Sequence, residues 1–232
     1  MMLHPANIER SKRKTLALYV NSHGDLIVKA PLKLADYKIF EFVKSKEKWI
    51  RSQQERVAQN ASINKSVLTY NTFLFLGEEL SVITATKVKK ITKAGSVLYI
   101  PTKIAEKGSF EVKKKIEKWL RDQAKIIVGE RAEYFSAKLR LNYSQISTNN
   151  NKTRWGVCSH DGKIAINWRA VMLKPQVFDY IMVHEFCHLL EMNHSKQFWN
   201  LVETILPNWR TLRKDLKKMN WLINLFRKDT DL

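Results

Sequence analysis

The feature that most constrains this chain is an apolar segment, residues 177–190, that contains two histidines four residues apart. Its sequence, VFDYIMVHEFCHLL, is apolar on nearly every side of a helix, so that helix must be buried. His184 and His188 differ by about 40° around the helix axis and by about 6 Å along it. Both imidazoles therefore reach a single zinc ion at Zn–N distances of about 2.0–2.1 Å.

Glu185 lies about 100° around the helix from His184, where it is a poor third ligand but can address a water bound to the metal. This is the HExxH spacing of metallopeptidases, in which the glutamate is the general base. The alternative is a pair of core histidines with ordinary hydrogen bonds. A buried His-Glu-His group without a metal must, however, satisfy its polar atoms in some other way. The pattern therefore predicts a zinc site with Glu185 as the catalytic residue.

A catalytic zinc takes a third protein ligand and keeps one position open. His194 is the best candidate, because it follows His188 at the metzincin spacing HExxHxxGxxH, with Glu191 in place of the glycine. Asn193 tolerates the left-handed conformation that ends many helices. We therefore expect the helix to stop near Met192 and the chain to bring His194 back to the metal. The alternative is that His194 is a surface histidine.

Other side chains compete for the third ligand position. Glu191 shares a helix face with His184 but lies about 10 Å along the axis, too far for one ion to bridge. Glu203 requires a second helix to present it, and its more favoured interpretation is a surface charge. Cys187 is expected to be a packed apolar thiol, while a metal role for Cys158 is left open.

Arg154 and Arg169 lie in the two segments that precede the apolar helix. Either they bind a substrate anion or stabilise charge in the transition state, or they tie loops to carboxylates such as Asp179. Asn167 is interpreted either as a cap of the nearby strand or as a substrate contact, and the structural role is favoured. Four nearby aromatic residues are expected to form core or pocket wall: Trp155, Trp168, Phe198 and Trp199.

Hydrophobic periodicity predicts the remaining elements. Two β-rich runs, 15–20 and 26–30, form a hairpin across Asn21–Gly24, and a helical pattern at 35–60 is followed by a polar loop at 61–71. Further elements follow along the chain: a small antiparallel sheet at 72–100, one long helix or two abutting helices at 110–140 with Gly129 as the candidate break, strands near 144–148 and 163–168, a helix from Pro175, and helices at 196–228 interrupted at Pro207–Asn208. We expect an N-terminal β-rich region with one helix at 1–105 and a core at 106–232, packed as one unit.

The charge balance is strongly basic, with 41 basic and 22 acidic residues and a formal net charge of +19. Such a field attracts nucleotides, nucleic acid or acidic peptides, although a solvated basic surface explains it equally well. The sequence contains no nucleic-acid-binding motif that would support the binding of nucleic acid over a solvated basic surface. Without an apolar run of membrane-spanning or signal-peptide length, and with two cysteines, the chain is expected in the cytoplasm, away from membranes.

The sequence resembles the YgjP-like family of metal-dependent hydrolases. The resemblance rests on these segments: TRWGVCS (153–159), AINWRAVMLKP (165–175), DYIMVHEFCHLLEMNHSKQFW (179–199) and, more loosely, RKTLALYV, GDLIVKAP and FLGEEL. It implies an α+β fold with a zincin-like core, in which a short mixed sheet lies beside the active-site helix, joined to an N-terminal β-rich region and long helices. It also implies that His184, His188 and His194 are the metal ligands and that Glu185 is catalytic.

The resemblance leaves two activities open: a peptidase, or a pyrophosphatase acting on nucleoside triphosphates such as UTP. A metal-activated water can attack a carbonyl or a phosphorus centre. The sequence lacks the clustered carboxylates that hold Mg²⁺ beside triphosphates, which favours the peptidase. A non-catalytic, nucleic-acid-associated zinc protein is the third hypothesis. The predicted cofactor is one Zn²⁺ per chain, and other divalent ions also occupy such sites.

Overall fold

The computed structural model describes residues 5–21, 24–67 and 72–226, which form an α+β fold in two compact units, Met1–Ser66 and Val67–Leu232. The boundary predicted between residues 105 and 106 therefore lies within the second unit. The strands at 72–101, which the sequence analysis assigned to the N-terminal region, belong to the same unit as the HExxH helix.

The first unit is a small mixed sheet with two helices. Its described elements are β1 (Asn7–Ser11), β2 (Ala17–Val20), β3 (Leu26–Pro31), α1 (Asp36–Ser45) and α2 (Glu47–Val67). Strand β3 is central, parallel to β1 and antiparallel to β2. The β2–β3 hairpin confirms the prediction, although Ser22 and His23 of its turn lie outside the described residues. Alternate residues of β3 (Leu26, Val28 and Ala30) form the core of this unit with Ile39, Val43 and Ile50.

Helix α2 differs from the sequence prediction at its C-terminal end. The polar loop predicted at 61–71 is wrong for residues 61–67, which continue the helix, and residues 68–71 lie outside the described part of the chain. The reason is that polarity alone does not end a helix. No glycine or proline interrupts this stretch, so nothing in the sequence breaks the backbone hydrogen bonding.

The second unit begins with a four-stranded sheet in the order β4-β5-β7-β6. Its strands are β4 (Thr72–Phe75), β5 (Glu78–Ala85), β6 (Thr92–Ala94) and β7 (Val97–Pro101). The prediction of an antiparallel sheet is wrong, because β7 pairs parallel to β5. Sequence reasoning missed the short strand β6. The chain reverses at Gly95 (φ 55°) between β6 and β7, so that β7 is antiparallel to β6 and runs in the same direction as β5.

Two helices follow β7: the short helix α3 (Thr102–Ala105) and the long helix α4 (Ser109–Leu139). Helix α4 buries one stripe at spacings of three and four residues: Ile116, Leu120, Ala124, Val128, Ala132 and Phe135. Of the two alternatives for residues 110–140, the structure has the single long helix, which runs through Gly129. Arg131 of α4 donates two hydrogen bonds, of 2.8 and 2.5 Å, to the carboxylate of Asp179, and this pair joins α4 to the helix that carries His184.

The elements that build the site follow α4. They are β8 (Gln145–Asn149), β9 (Gly156–Cys158), β10 (Lys163–Asn167), a 3₁₀ helix (Trp168–Met172), α5 (Pro175–Cys187), α6 (Lys196–Ile205), α7 (Trp209–Lys218) and a second 3₁₀ helix (Asn220–Asn224). Strand β10 is central, parallel to β8 and antiparallel to β9. This short mixed sheet contacts α5 through β9 and β10, as the resemblance implied. None of the helices in the described part of the chain combines the length and apolar character needed to cross a bilayer.

The continuity of α4 gives a stability prediction. A Cβ added at Gly129 meets no atom within 4 Å. Alanine in a helix interior is more favourable than glycine by about 1 kcal/mol. Gly129→Ala should therefore raise the free energy of unfolding by about that amount, measured by chemical denaturation of the full chain. The control is Gly108→Ala, at a position with φ 92°, which should destabilise. Destabilisation by Gly129→Ala would contradict an unbroken α4.

Candidate metal centre

Three histidines converge on one point in the second unit. Each of His184, His188 and His194 offers a ring nitrogen, and these nitrogens all lie within 4.8 Å of one another. The ring centroids are 4.7–5.0 Å apart, and Nε2 of His184 lies 3.0 Å from Nε2 of His194. Two nitrogens that share a tetrahedral zinc at 2.0–2.1 Å are separated by about 3.3 Å. The trio therefore fits one divalent ion.

The ring of His188 is oriented by the backbone. Its Nδ1 lies 3.0 Å from the carbonyl oxygen of Glu191. A carbonyl oxygen only accepts hydrogen bonds, so Nδ1 carries the proton in this contact. The lone pair is thereby left on Nε2, the tautomer that a metal ligand requires.

Burial keeps the other rings in the neutral form that binds metal. Burial lowers the pKa of His184 to about 3, and the nearby His188, His194 and Arg213 contribute in the same direction. Burial also lowers the pKa of His194, with smaller contributions from His188 and Arg213. Neutral imidazoles bind a cation without first releasing a proton. The electrostatics of the cluster thus agree with its geometry.

Aromatic rings form the floor of the cluster. Phe198, which is fully buried, packs against His184, His188 and His194 with ring centroids 4.9, 4.5 and 4.7 Å away. Trp199 stacks on His194 at 5.6 Å. These contacts confine the three rings to one arrangement, since packed aromatic side chains leave little rotational freedom.

His194 reaches the cluster by a different route from the one predicted. Helix α5 ends at Cys187 rather than near Met192, and His188 forms its C-cap. Asn193 is not among the positive-φ residues of the described chain, so the predicted left-handed turn is wrong there. Instead, Ser195 starts α6 by accepting a hydrogen bond from the Phe198 amide, and the cap fixes the residue just before it.

Glu185 is buried among the residues that line a cavity of about 600 Å³ together with the three histidines. Burial raises the pKa of its carboxyl to about 8, and the charge of Arg154 opposes that shift. Gly156 at the start of β9 makes room for it. A Cβ on Gly156 would lie 2.5 Å from Oε1 and 2.6 Å from Cγ of Glu185. Sequence reasoning missed Gly156, although it stands within the segment TRWGVCS that carries the resemblance.

The structure brings Arg154 to the cavity but not Arg169. Arg169 is almost fully buried, and its guanidinium donates to the Leu225 carbonyl at 2.8 Å and to the side-chain oxygen of Asn150 at 2.6 Å. Its environment is that of a residue that ties loops together. The carboxylate suggested for that role, Asp179, is instead paired with Arg131.

Asn167 is fully buried and holds the loop that carries Arg154. Its side-chain amide donates to the carbonyls of Asn151 at 2.9 Å and of Arg154 at 3.2 Å. Its side-chain oxygen accepts a hydrogen bond from the amide of Arg169, which caps the 3₁₀ helix. These contacts agree with the structural role that the sequence favoured.

The rival ligands lie outside the described histidine cluster. The backbone carbonyl of Glu191 accepts the hydrogen bond from His188, and the carboxylate of Glu203 pairs with Arg210. Cys187 is buried, and burial raises the pKa of its thiol to about 12. Cys158 lines the cavity, and burial, with Glu185 nearby, raises the pKa of its thiol to about 11. Neither cysteine belongs to the group of possible metal ligands found among the described residues.

Two further cavity residues were missed by sequence reasoning. Tyr180 lies one turn before His184 on α5, with its ring centroid 6.0 Å from that imidazole. Burial raises the pKa of its hydroxyl to about 12, so it remains a hydrogen-bond donor at neutral pH. Arg213 comes from α7, more than twenty residues after the HExxH segment. Its helix contains several other basic residues, so no local signal distinguishes it.

Comparison with known proteins now defines the class. A model for a metallopeptidase domain matches residues 14–219, which makes the chain a metal-dependent hydrolase. That model describes the YgjP-like family, and because it spans most of the chain, the chain belongs to that family. The resemblance recognised in the sequence is thereby confirmed.

Other comparisons add little. No curated protein matches the chain significantly. Among solved structures, it is similar to the crystal structure of the metallopeptidase zymogen of Pyrococcus abyssi abylysin, at 22% identity and a TM-score of 0.36. That match covers 38% of this chain and 90% of the other.

The close approach of Gly156 to Glu185 gives a prediction about the site. Because a Cβ at Gly156 would lie 2.6 Å from Cγ of the buried Glu185, Gly156→Ala should destabilise the protein by about 1–3 kcal/mol through overpacking. Chemical denaturation measures this change. The same substitution in a Glu185→Ala background should cost much less, since the colliding atoms are gone. Equal costs in the two backgrounds would show that the collision is not with Glu185.

Proposed function

We propose that this chain is a zinc-dependent metallopeptidase in which His184, His188 and His194 hold one Zn²⁺ and Glu185 is the general base. The observation that carries the proposal is the convergence of three imidazole nitrogens within 4.8 Å at the cavity that contains Glu185. Three protein ligands leave the fourth position open, as catalytic zinc sites require. Glu185 supplies the only carboxylate among the described residues that line this cavity.

Each of the chain's own groups has a defined task. The zinc ion, when bound, polarises the substrate carbonyl and lowers the pKa of a water toward about 7. Glu185 takes a proton from the attacking water and delivers it to the departing amine. Tyr180, protonated at neutral pH, and Arg154 are placed at the same cavity to donate hydrogen bonds to the oxygen that gains negative charge.

Strand β9 favours a peptide over a nucleotide substrate. It is an edge strand of its sheet, and its three residues, Gly156, Val157 and Cys158, line the cavity. An extended peptide can add to such an edge through main-chain hydrogen bonds. The neighbouring strand β10 cannot take this role, because it is paired with β8 and with β9 and offers no free edge.

Hydrolysis by the purified full chain tests the mechanism. Denatured protein and the four ribonucleoside triphosphates are offered to the native chain and to Glu185→Gln. We expect cleavage of the protein only, and a loss of about a hundredfold to ten-thousandfold in Glu185→Gln with zinc retained. Glu203→Gln, a carboxylate outside the cluster, is the control and should keep activity. Turnover of triphosphates that survives in Glu185→Gln would contradict the proposal.

Metal content tests the ligands. His184→Ala, His188→Ala and His194→Ala should each lower the zinc content of the purified protein, whereas His160→Ala, an exposed histidine outside the cluster, should not. Because zinc binds only the folded chain, chelation should lower the free energy of unfolding of the native protein by about 4 kcal/mol if zinc was present at a thousand times its Kd. Full zinc content in all three variants would refute the ligand set.

A further inference from the structure

The cavity beside the histidines is basic at its rim. Its described lining includes Arg154, Arg213 and Lys217, all exposed, whereas its one carboxylate, Glu185, is buried. Opposite charges attract most strongly where low-dielectric walls focus the field. A substrate that enters this cavity therefore meets positive charge before it meets the zinc site.

Arg213 is held in place by stacked indoles. Its guanidinium carbon lies 4.9 Å from the ring centroid of Trp199 and 6.0 Å from that of Trp209. The two indoles are stacked on each other at 4.4 Å, and Trp199 also stacks on His194. An arginine fixed on such a platform loses little further freedom when it binds a ligand. One indole thus links the position of Arg213 to that of a proposed zinc ligand.

The guanidinium groups of Arg213 and Arg154 are available for an external partner. In the described ranges, neither makes a salt bridge or donates a side-chain hydrogen bond, in contrast to the neighbouring charges of α6 and α7. Arg210 pairs with Glu203, and Lys218 pairs with Asp215. Arg210 also lies over the Trp209 ring, at 4.7 Å, but it has Glu203 as its partner, whereas Arg213 has no carboxylate partner among the described residues.

We propose that Arg213 is a specificity-determining residue that binds the carboxylate of an acidic side chain close to the scissile bond of a peptide substrate. This inference rests on the proposed peptidase function and names its substrate class. A planar guanidinium can donate two parallel hydrogen bonds to a carboxylate, which an ammonium group cannot. Arg154, at the Glu185 side of the same cavity, adds to the attraction for the same negative charge.

Fluorogenic peptides that differ at one position beside the cleaved bond test this proposal. Glutamate, glutamine and lysine are compared there, after the preferred bond has been mapped by mass spectrometry on a denatured protein. The native chain should show kcat/KM about tenfold to a hundredfold higher for glutamate than for glutamine. In Arg213→Gln this ratio should fall to about one, with the loss confined to the glutamate peptide. The preference should also weaken at high ionic strength, because Arg213 is exposed.

Charge reversal sharpens the test. Arg213→Glu should shift the preference from the glutamate peptide toward the lysine peptide. Lys214→Glu is the matched control, since it makes the same change of net charge on the same helix but lies outside the cavity lining. It should leave the native preference unchanged. A merely structural role of Arg213 would instead reduce turnover of all three peptides in parallel, and that result would overturn the proposal.

A binding measurement separates failure of this inference from failure of the peptidase proposal. Zinc-loaded Glu185→Gln protein is titrated with the glutamate and glutamine peptides, and binding is followed by fluorescence anisotropy without any need for turnover. Tighter binding of the glutamate peptide that disappears in Glu185→Gln/Arg213→Gln supports the subsite even if the native chain cleaves no peptide. Equal binding of the two peptides overturns it, as does Arg213-dependent turnover of nucleoside triphosphates in place of peptides.

Discussion

The arrangement of the second unit depends on packing three neutral imidazoles against one buried aromatic ring. Phe198 contacts all three histidines, so the end of α5 and the start of α6 have to lie at one distance from each other. The chain meets this requirement with a helix that stops at Cys187 and a short loop that ends at the Ser195 cap. Burial lowers the pKa of His184 and of His194, which leaves these two rings neutral and ready to bind a cation.

Strand β9 lies against the side chain of Glu185. This side chain is buried against the backbone of β9, where only a glycine leaves enough space. The loop before β9 is fixed by the buried side chain of Asn167, which donates hydrogen bonds to the backbone carbonyls of Asn151 and Arg154 and so holds Arg154 at the cavity. Glu185 and His184 lie on α5, Arg154 lies in the loop before β9, and His194 lies just before α6. These elements share one core, which is the kind of support that precise hydrolytic sites require.

The sequence predicts those features of the site that depend on neighbouring residues and misses those that depend on tertiary contacts. The three histidines lie within eleven consecutive residues, 184–194, and their convergence was predicted from their spacing and from the apolar helix that carries the first two. The end of α5 was misplaced because the His188 ring donates a hydrogen bond to the carbonyl of Glu191, three residues on, and packs against Phe198 of α6. The spacing of apolar residues shows neither contact. Parallel pairing of β5 with β7 and the approach of Arg213 from α7 also depend on tertiary contacts, which residue patterns do not reveal.

The central claim is that one zinc ion is bound by three imidazoles and by no thiolate. X-ray absorption at the zinc edge of the purified full chain tests it most directly, because nitrogen and sulfur ligands lie at different distances. We expect imidazole nitrogens at about 2.0–2.1 Å and no sulfur, with one imidazole fewer in His194→Ala. A sulfur ligand at about 2.3 Å, or a spectrum that His194→Ala leaves unchanged, would contradict it.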